Sequence, residues 1–429
     1  MEDRYYHSEE MLNRALKTIP LGTQTFSKSK TQFPYKVSPY FIKRGEGSHV
    51  WDIDGNEYID FINCLAAITL GYNDEDVNRV VQAQLNEGII FSLPHPIEVE
   101  VAEKVVEMVP CAEMVRFGKN GSDATSGAIR VARAYTNRDH IAVCGYHGWH
   151  DWYIGSTSRR MGVPKSTQEL THSFSYNDIG SLEDIFSMKP DSIAAVILEP
   201  TSVFEPTGNF LEKVKDLSHK YGAVLIFDET VTGFRLSEGG AQEYYDVTPD
   251  LATFGKGIAN GYPLSVLAGK KDIMKLMEEV FYSFTFAGET LSLAASLAVM
   301  TKLQRLPIIE TMRTKGQLII DGVNDLIKRH NMEQIISISG NPVWTFLLIK
   351  DTPAYSQYEL KTLFLQEVFA KGILTLGTHN MSYSHSNNDI SKLLSVYGEV
   401  FPMMKEVVEN RNLEEYLKCD PLVPLFKVR

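Results

Sequence analysis

The sequence predicts an α/β protein: a mostly parallel sheet with helices on both faces, joined to a smaller α+β lobe. Two observations carry that prediction. From about Cys111, short apolar runs alternate with helical stretches, and repeated strand–helix units build parallel sheets. Beyond roughly residue 300 helical patterns dominate, broken by the strand-like run 343–349. At 429 residues the chain exceeds one ordinary domain and can bury a sizeable core. The expected division is an N-terminal segment (1–60) joining the small lobe, a large domain (61–299) and a C-terminal small domain (300–429).

Taken in order, residues 8–18 read as a helix and 22–36 as an irregular polar stretch. Residues 41–44 and 50–60 form short alternating strands, the second turning at Asp54-Gly55, a strong hairpin signal. Asn73 caps a helix in which Val77, Val80, Val81 and Leu85 recur at helical spacing. The strand-like run 115–117 precedes a glycine loop and a helix over 124–135. Runs 141–144 and 193–198 are further strands, and a helix over 211–221 leads back into the apolar strand 223–227.

Composition narrows the function classes. The apolar fraction, 44%, is that of an ordinary globular protein. No apolar run approaches the roughly 18 residues a membrane helix needs, and Met1-Glu2-Asp3-Arg4 opens no signal-peptide pattern. A net charge of −12 argues against nucleic acid as a partner, and means that an anionic substrate needs a local basic patch. Cys64, Cys111, Cys144 and Cys419 lack metal-ligand spacing, which suits reduced thiols in a cytoplasmic protein. Cys64 and Cys144 lie in apolar runs and read as core residues.

The chemistry is legible where strand 223–227 ends on Asp228-Glu229. Carboxylates at the carboxyl end of a buried parallel strand sit where open α/β sheets bind ligands. Lys256, flanked by glycines after a second short apolar stretch, can reach the same edge. Taken alone, Gly-Lys-Gly is usually a solvated loop. A strand ending in Asp-Glu also suits a P-loop ATPase, but G-x-x-x-x-G-K-[ST] is absent. An amine and a carboxylate converging on one crevice is what a pyridoxal phosphate (PLP) enzyme needs. The lysine forms a Schiff base, and the aspartate holds the proton on the pyridinium nitrogen so that the ring acts as an electron sink. Asn120-Gly121-Ser122, opening a helix, offers backbone donors, small residues and a hydroxyl for a phosphate.

Ile226-Phe227-Asp228-Glu229, Thr232-Gly233-Phe234-Arg235, Pro249-Asp250-Leu251 and Gly255-Lys256 together resemble the signature of class III PLP-dependent aminotransferases. Within that class the chain is similar to glutamate-1-semialdehyde aminomutase and its aminotransferase relatives, from about residue 22 to about residue 401. The resemblance implies PLP-dependent fold-type I, pyridoxal 5'-phosphate as cofactor, and a homodimer with the active site at the subunit interface. Lys256 and Asp228 are then the catalytic pair, and Asn120-Gly121-Ser122 matches the family's Ser-Gly-Thr phosphate loop. Tyr146 matches the aromatic residue that stacks on the ring, with His147 beside it among the cofactor contacts, and Glu199 helps orient the site. Thr285, within 283–288, matches the threonine that reaches the phosphate of the other subunit's cofactor. His147 and His150 find no third ligand, so no metal is expected.

Departures from the family pattern bear on the substrate. Lys28 stands where the aminomutase carries an arginine that clamps the substrate carboxylate, and lysine lacks the bidentate fork. Thr230 replaces the usual valine against the cofactor ring, and Glu289-Thr290 replaces Asn-Pro. Lys119, just before the phosphate loop, reads as a solvated side chain. Basic residues gather in two irregular segments, Lys28 with Lys30, and Arg159, Arg160 and Lys165. On an acidic chain these favour an anionic substrate, with Lys28 and Arg160 as its contacts. The expected reaction moves an amino group from an amino acid donor to a ketone or aldehyde acceptor. A phosphorylated or nucleotide-linked keto compound fits that role. A glutamate-1-semialdehyde-type 2,1-aminomutase and a catalytically silent PLP-binding scaffold are the alternatives.

Overall fold

The structure, a computed structural model, describes residues 4–423. They divide into two compact units, one of residues 4–65, 70–74 and 310–423, the other of residues 66–69 and 75–309. In the first unit the strands β1 (Ile42–Glu46), β2 (His49–Asp52) and β3 (Glu57–Asp60) form an antiparallel meander. The β2–β3 turn falls at Asp54-Gly55, where Gly55 takes φ 87°, a conformation that costs glycine little.

The second unit holds a seven-stranded sheet. Its strands are β4 (Met114–Gly118), β5 (His140–Cys144), β6 (Thr171–Ser173), β7 (Ile193–Leu198), β8 (Val224–Glu229), β9 (Leu251–Phe254) and β10 (Ser265–Gly269), in the order β4-β10-β9-β8-β7-β5-β6. Pairing is parallel from β6 through β9, and β10 runs antiparallel between β9 and β4. Side chains alternate across the strands. Ile197 and Ile226 therefore pack with Ala124, Ala128 and Ala132 of the helix Gly121–Thr136. Val196, Leu225 and Phe227 pack on the other face with Leu182, Phe186, Leu211 and Val214 from the helices Ile179–Met188 and Phe210–Lys220. Burial on both faces is why these strands read as continuous apolar runs.

Beyond residue 310 the first unit adds β11 (Ile336–Asn341), β12 (Trp344–Ile349) and β14 (Thr378–Asn380) as a second antiparallel sheet. The two-residue β13 (Ile373–Leu374) pairs in parallel with β3, tying the start of the chain to its C-terminal part.

Two local expectations change. The helix foreseen at 124–135 begins earlier, at Gly121, because Asp123 accepts hydrogen bonds from the backbone N–H groups of Lys119 (3.1 Å) and Asn120 (2.7 Å). Cys64 is half-buried, not core. Asp60 accepts from the N–H groups of Ile62 (2.7 Å) and Asn63 (3.0 Å) and turns the chain into a left-handed stretch, from Asn63 (φ 45°) to Ala66 (φ 67°). Such φ values are costly for residues with a Cβ, so the apolar run 64–67 does not continue the strand.

Candidate active site

Strand register assembles the site. Cys144 of β5, Leu198 of β7, Phe227 of β8 and Ala252 of β9 lie side by side. One residue further along come Gly145, Glu199, Asp228 and Thr253, so these four line the carboxyl edge of the parallel strands. This is where such sheets bind ligands. Because successive strand residues face opposite ways, Asp228 shares the face of Ile226 and the helix Gly121–Thr136, while Glu229 turns away.

Asp228 is 4% exposed. Its Oδ1 accepts from the Thr230 N–H (3.1 Å), the Thr230 hydroxyl (2.6 Å) and the Thr253 hydroxyl (3.2 Å), and its Oδ2 takes His147 Nδ1 at 2.8 Å. Burial pushes the carboxyl up, but the bonds from His147 and Thr230 outweigh it and hold Asp228 below the ordinary carboxylate range. Glu229 goes the other way: burial raises it despite bonds from the Ala241 N–H and from Gln242. It fastens the segment around residues 240–242 and has no part in the edge.

His147, grouped by resemblance with the cofactor contacts, is 1% exposed and both its ring nitrogens are taken. Nδ1 meets Asp228, and Nε2 donates to the Cys144 carbonyl at 3.2 Å. The ring therefore orients Asp228. Tyr146 is half-buried, its N–H donates to Glu199 Oε2 (3.0 Å), and its ring meets Tyr153 edge-on at 5.6 Å.

The helix Gly121–Thr136 presents its N-terminus to the same loop. Ser122 Oγ accepts from the Trp149 N–H (3.2 Å), and Thr125 Oγ1 donates to the His147 carbonyl (2.9 Å). A Cβ built on Gly121 lies 3.0 Å from Thr230 Cγ2, and one on Gly255 lies 3.3 Å from the same methyl. The Thr230 methyl thus separates the helix start from the turn carrying Lys256. Lys256 follows the end of β9, is half-buried, takes φ 46° and opens the 3₁₀ turn Lys256–Ala259. Helix N-terminus, Asp228 and the Lys256 turn accordingly converge around Thr230.

Lys119 is not solvated. Its Nζ bonds Glu289 Oε2 at 2.9 Å, with side chains only 14% and 17% exposed. Glu289 also caps the helix Thr290–Arg305 through the N–H groups of Leu291 (2.7 Å) and Ser292 (3.3 Å). The residue that departs from Asn-Pro thereby ties Lys119, just before the helix Gly121–Thr136, to the turn bearing Thr285.

Thr285 and Arg160 are exposed. Lys28, in the other unit, is exposed with Nζ 3.6 Å from Cys64 Sγ. His150 bonds Ser126 Oγ at 2.6 Å, and among the described residues no group of three or more His, Cys, Asp and Glu side chains could hold a metal. Thr253 and the Lys119–Glu289 pair are the residues that sequence reading missed. The first becomes visible only through the pairing of β8 with β9, the second only once distant segments meet.

The arrangement suits a ring whose nitrogen carries a proton facing Asp228, an anionic group over the helix N-terminus, and an electrophilic carbon within reach of an amine. The aminotransferase class-III family profile matches residues 32–386. The chain is 33% identical to the 3-aminobutyryl-CoA aminotransferase of Cloacimonas acidaminovorans, over 94% of this chain and 98% of that one. It is 34% identical to the glutamate-1-semialdehyde 2,1-aminomutase of Desulforamulus reducens, over 94% and 99%. The structure of the Sphingopyxis FumI protein in its PLP internal aldimine form superposes with a TM-score of 0.87 at 26% identity, covering 97% of this chain and 99% of that one. With its profile match and relatives spanning nearly its whole length, the chain belongs to the class-III aminotransferase family.

Proposed function

We propose that this protein is a PLP-dependent aminotransferase that moves an amino group from an amino acid donor to a ketone or aldehyde acceptor carrying an anionic group. The observation that carries the reading is the buried Asp228 carboxylate, held ionised at the edge of the parallel strands beside the Lys256 turn and a helix N-terminus. Bound PLP supplies an electron sink for the carbanion formed at the substrate carbon. Gly121 supports the fit, since its missing Cβ leaves room for backbone approach beside Thr230. Asn120, Gly121 and Ser122 bind the phosphate through N–H groups and the hydroxyl. Tyr146 offers the ring a flat face. Asp228 would hold the proton at the ring nitrogen, His147 and Glu199 would orient their neighbours, and Thr230 would pack against the ring. Lys256 Nζ would hold the cofactor covalently and would serve as the base that moves the proton at the substrate carbon.

Thr285 is assigned to the partner subunit's phosphate. Ile89, Ile90, Phe91, Leu93, Phe281 and Phe286 are exposed apolar residues, 36–79% accessible, and support a homodimer that covers them. Four free cysteines support a cytoplasmic location. Among the described residues no helix is long and apolar enough to cross a membrane.

For the acceptor, exposed Arg159, Arg160 and Lys165 and the distinct Lys28 support a phosphorylated or nucleotide-linked keto compound. The 3-aminobutyryl-CoA aminotransferase among the relatives makes a coenzyme A thioester a concrete case. The aminomutase reading draws on its relatives but loses the arginine clamp. A screen of amino donors against purified protein loaded with PLP tests the proposal. Conversion of the cofactor to its amino form by one donor, reversed by a keto acceptor, is expected. A cofactor that no donor alters identifies a silent scaffold instead.

A further inference from the structure

We infer that Thr230 is a positioning residue whose hydroxyl keeps the proton of the cofactor pair on the ring nitrogen, by stabilising Asp228 as a carboxylate. This rests on the PLP reading above and names a feature that separates this chain from the valine pattern it departs from. The geometry is specific. Thr230 approaches the same oxygen, Asp228 Oδ1, with both its N–H (3.1 Å) and its hydroxyl (2.6 Å), and Thr253 adds a third donor at 3.2 Å. Three donors saturate Oδ1. Oδ2, bonded to His147 Nδ1 at 2.8 Å, is then the oxygen left with capacity for a ring N–H.

Asp228 is 4% exposed, and burial alone favours its neutral, protonated form. If the shared proton sat on Asp228 instead, the ring nitrogen would be left without it and the sink would weaken. The hydroxyl opposes that transfer. Its rotamer is fixed from the other side, because the Thr230 methyl fills the gap between Gly121 and Gly255. A valine would retain the methyl packing and lose the donor. One hydrogen bond to a charged acceptor is expected to bias the proton between Asp228 and the ring by roughly ten- to a hundredfold.

The test loads the parent, Thr230→Val and Thr230→Ser with PLP labelled with ¹⁵N in the ring, and reads the nitrogen resonance directly. The parent should show a protonated ring nitrogen, Thr230→Ser should match it, and Thr230→Val should move toward the neutral pyridine position. A Val resonance identical to the parent, with cofactor retained, overturns the inference while leaving the PLP reading intact. A parent that binds no PLP overturns that reading itself. Should Thr230→Val fail to fold, Thr230→Ala against Thr230→Ser makes the same comparison with the methyl removed.

Discussion

Replacing Asp228 with asparagine separates the charge of this residue from its place in the fold. Asparagine is nearly isosteric, and the surroundings can accommodate it. Its carbonyl oxygen can accept from the Thr230 N–H, the Thr230 hydroxyl and Thr253, as Asp228 Oδ1 does at 3.1, 2.6 and 3.2 Å. Its amide can donate to His147 Nδ1, 2.8 Å from Oδ2, while His147 Nε2 keeps the Cys144 carbonyl. No buried polar group is orphaned, and the cost of holding a desolvated charge disappears. The fold should therefore hold to within about 1 kcal/mol, a small part of the usual 5–15 kcal/mol. Catalysis should not survive so well. Without a carboxylate the ring proton has no counter-charge, and preorganised electrostatic groups of this kind contribute about a hundredfold or more. Thermal melting, cofactor absorbance and steady-state turnover on the best donor measure the three quantities together. A variant that melts like the parent, binds PLP and keeps turnover within about tenfold refutes the role assigned to Asp228.

Three further outcomes are expected. Lys256→Ala should abolish covalent attachment and turnover with the fold intact, since φ 46° strains alanine and lysine alike; a borohydride-trappable adduct at another lysine would contradict the assignment. Lys28→Ala should raise the KM of the anionic substrate and flatten its dependence on salt, leaving cofactor affinity unchanged; unchanged KM for donor and acceptor alike marks a solvated lysine. Acid should loosen the unit containing His379 and His385. Burial depresses both, to about 3 and about 4, with repulsion between them adding to the effect on His379. Their folded values lie below the unfolded value near 6.5, so this stability is whole above that pH and drains away as pH falls toward the folded values. At pH 5 the loss is roughly 2 kcal/mol per histidine, and urea unfolding at pH 7 and pH 5 should differ accordingly. Equal midpoints at the two pH values would show the histidines to be hydrated.

What was legible in the sequence was local, and what was hidden needed tertiary contact. The strand over 224–229 announced itself because burial on both faces demands apolar residues at every position, so its polar end, Asp228, stood out against the run. Lys256 was legible for the opposite reason, as a charged residue among glycines directly after another apolar strand. β10 gave no such signal: though buried at every position, its apolar run is only Val266-Leu267-Ala268 between Ser265 and Gly269, too short to stand out. His147 shows the limit most clearly. Its place beside Tyr146 could be read by resemblance, but whether its ring meets a cofactor or the residue behind it depends on β5 and β8 being held on either side of β7. Cys64 failed for an energetic reason. An apolar run ordinarily continues a strand, and only the Asp60 carboxylate, accepting two successive N–H groups, makes a left-handed turn affordable there. Lys119 failed likewise, because its counter-charge, Glu289, sits far along the chain at the very position where the family pattern is broken. A departure from a family motif can therefore bring a new partner with it. At Thr230 the substituted residue donates to a carboxylate where valine could not, and at Glu289 it brings Lys119 a counter-charge that asparagine lacks.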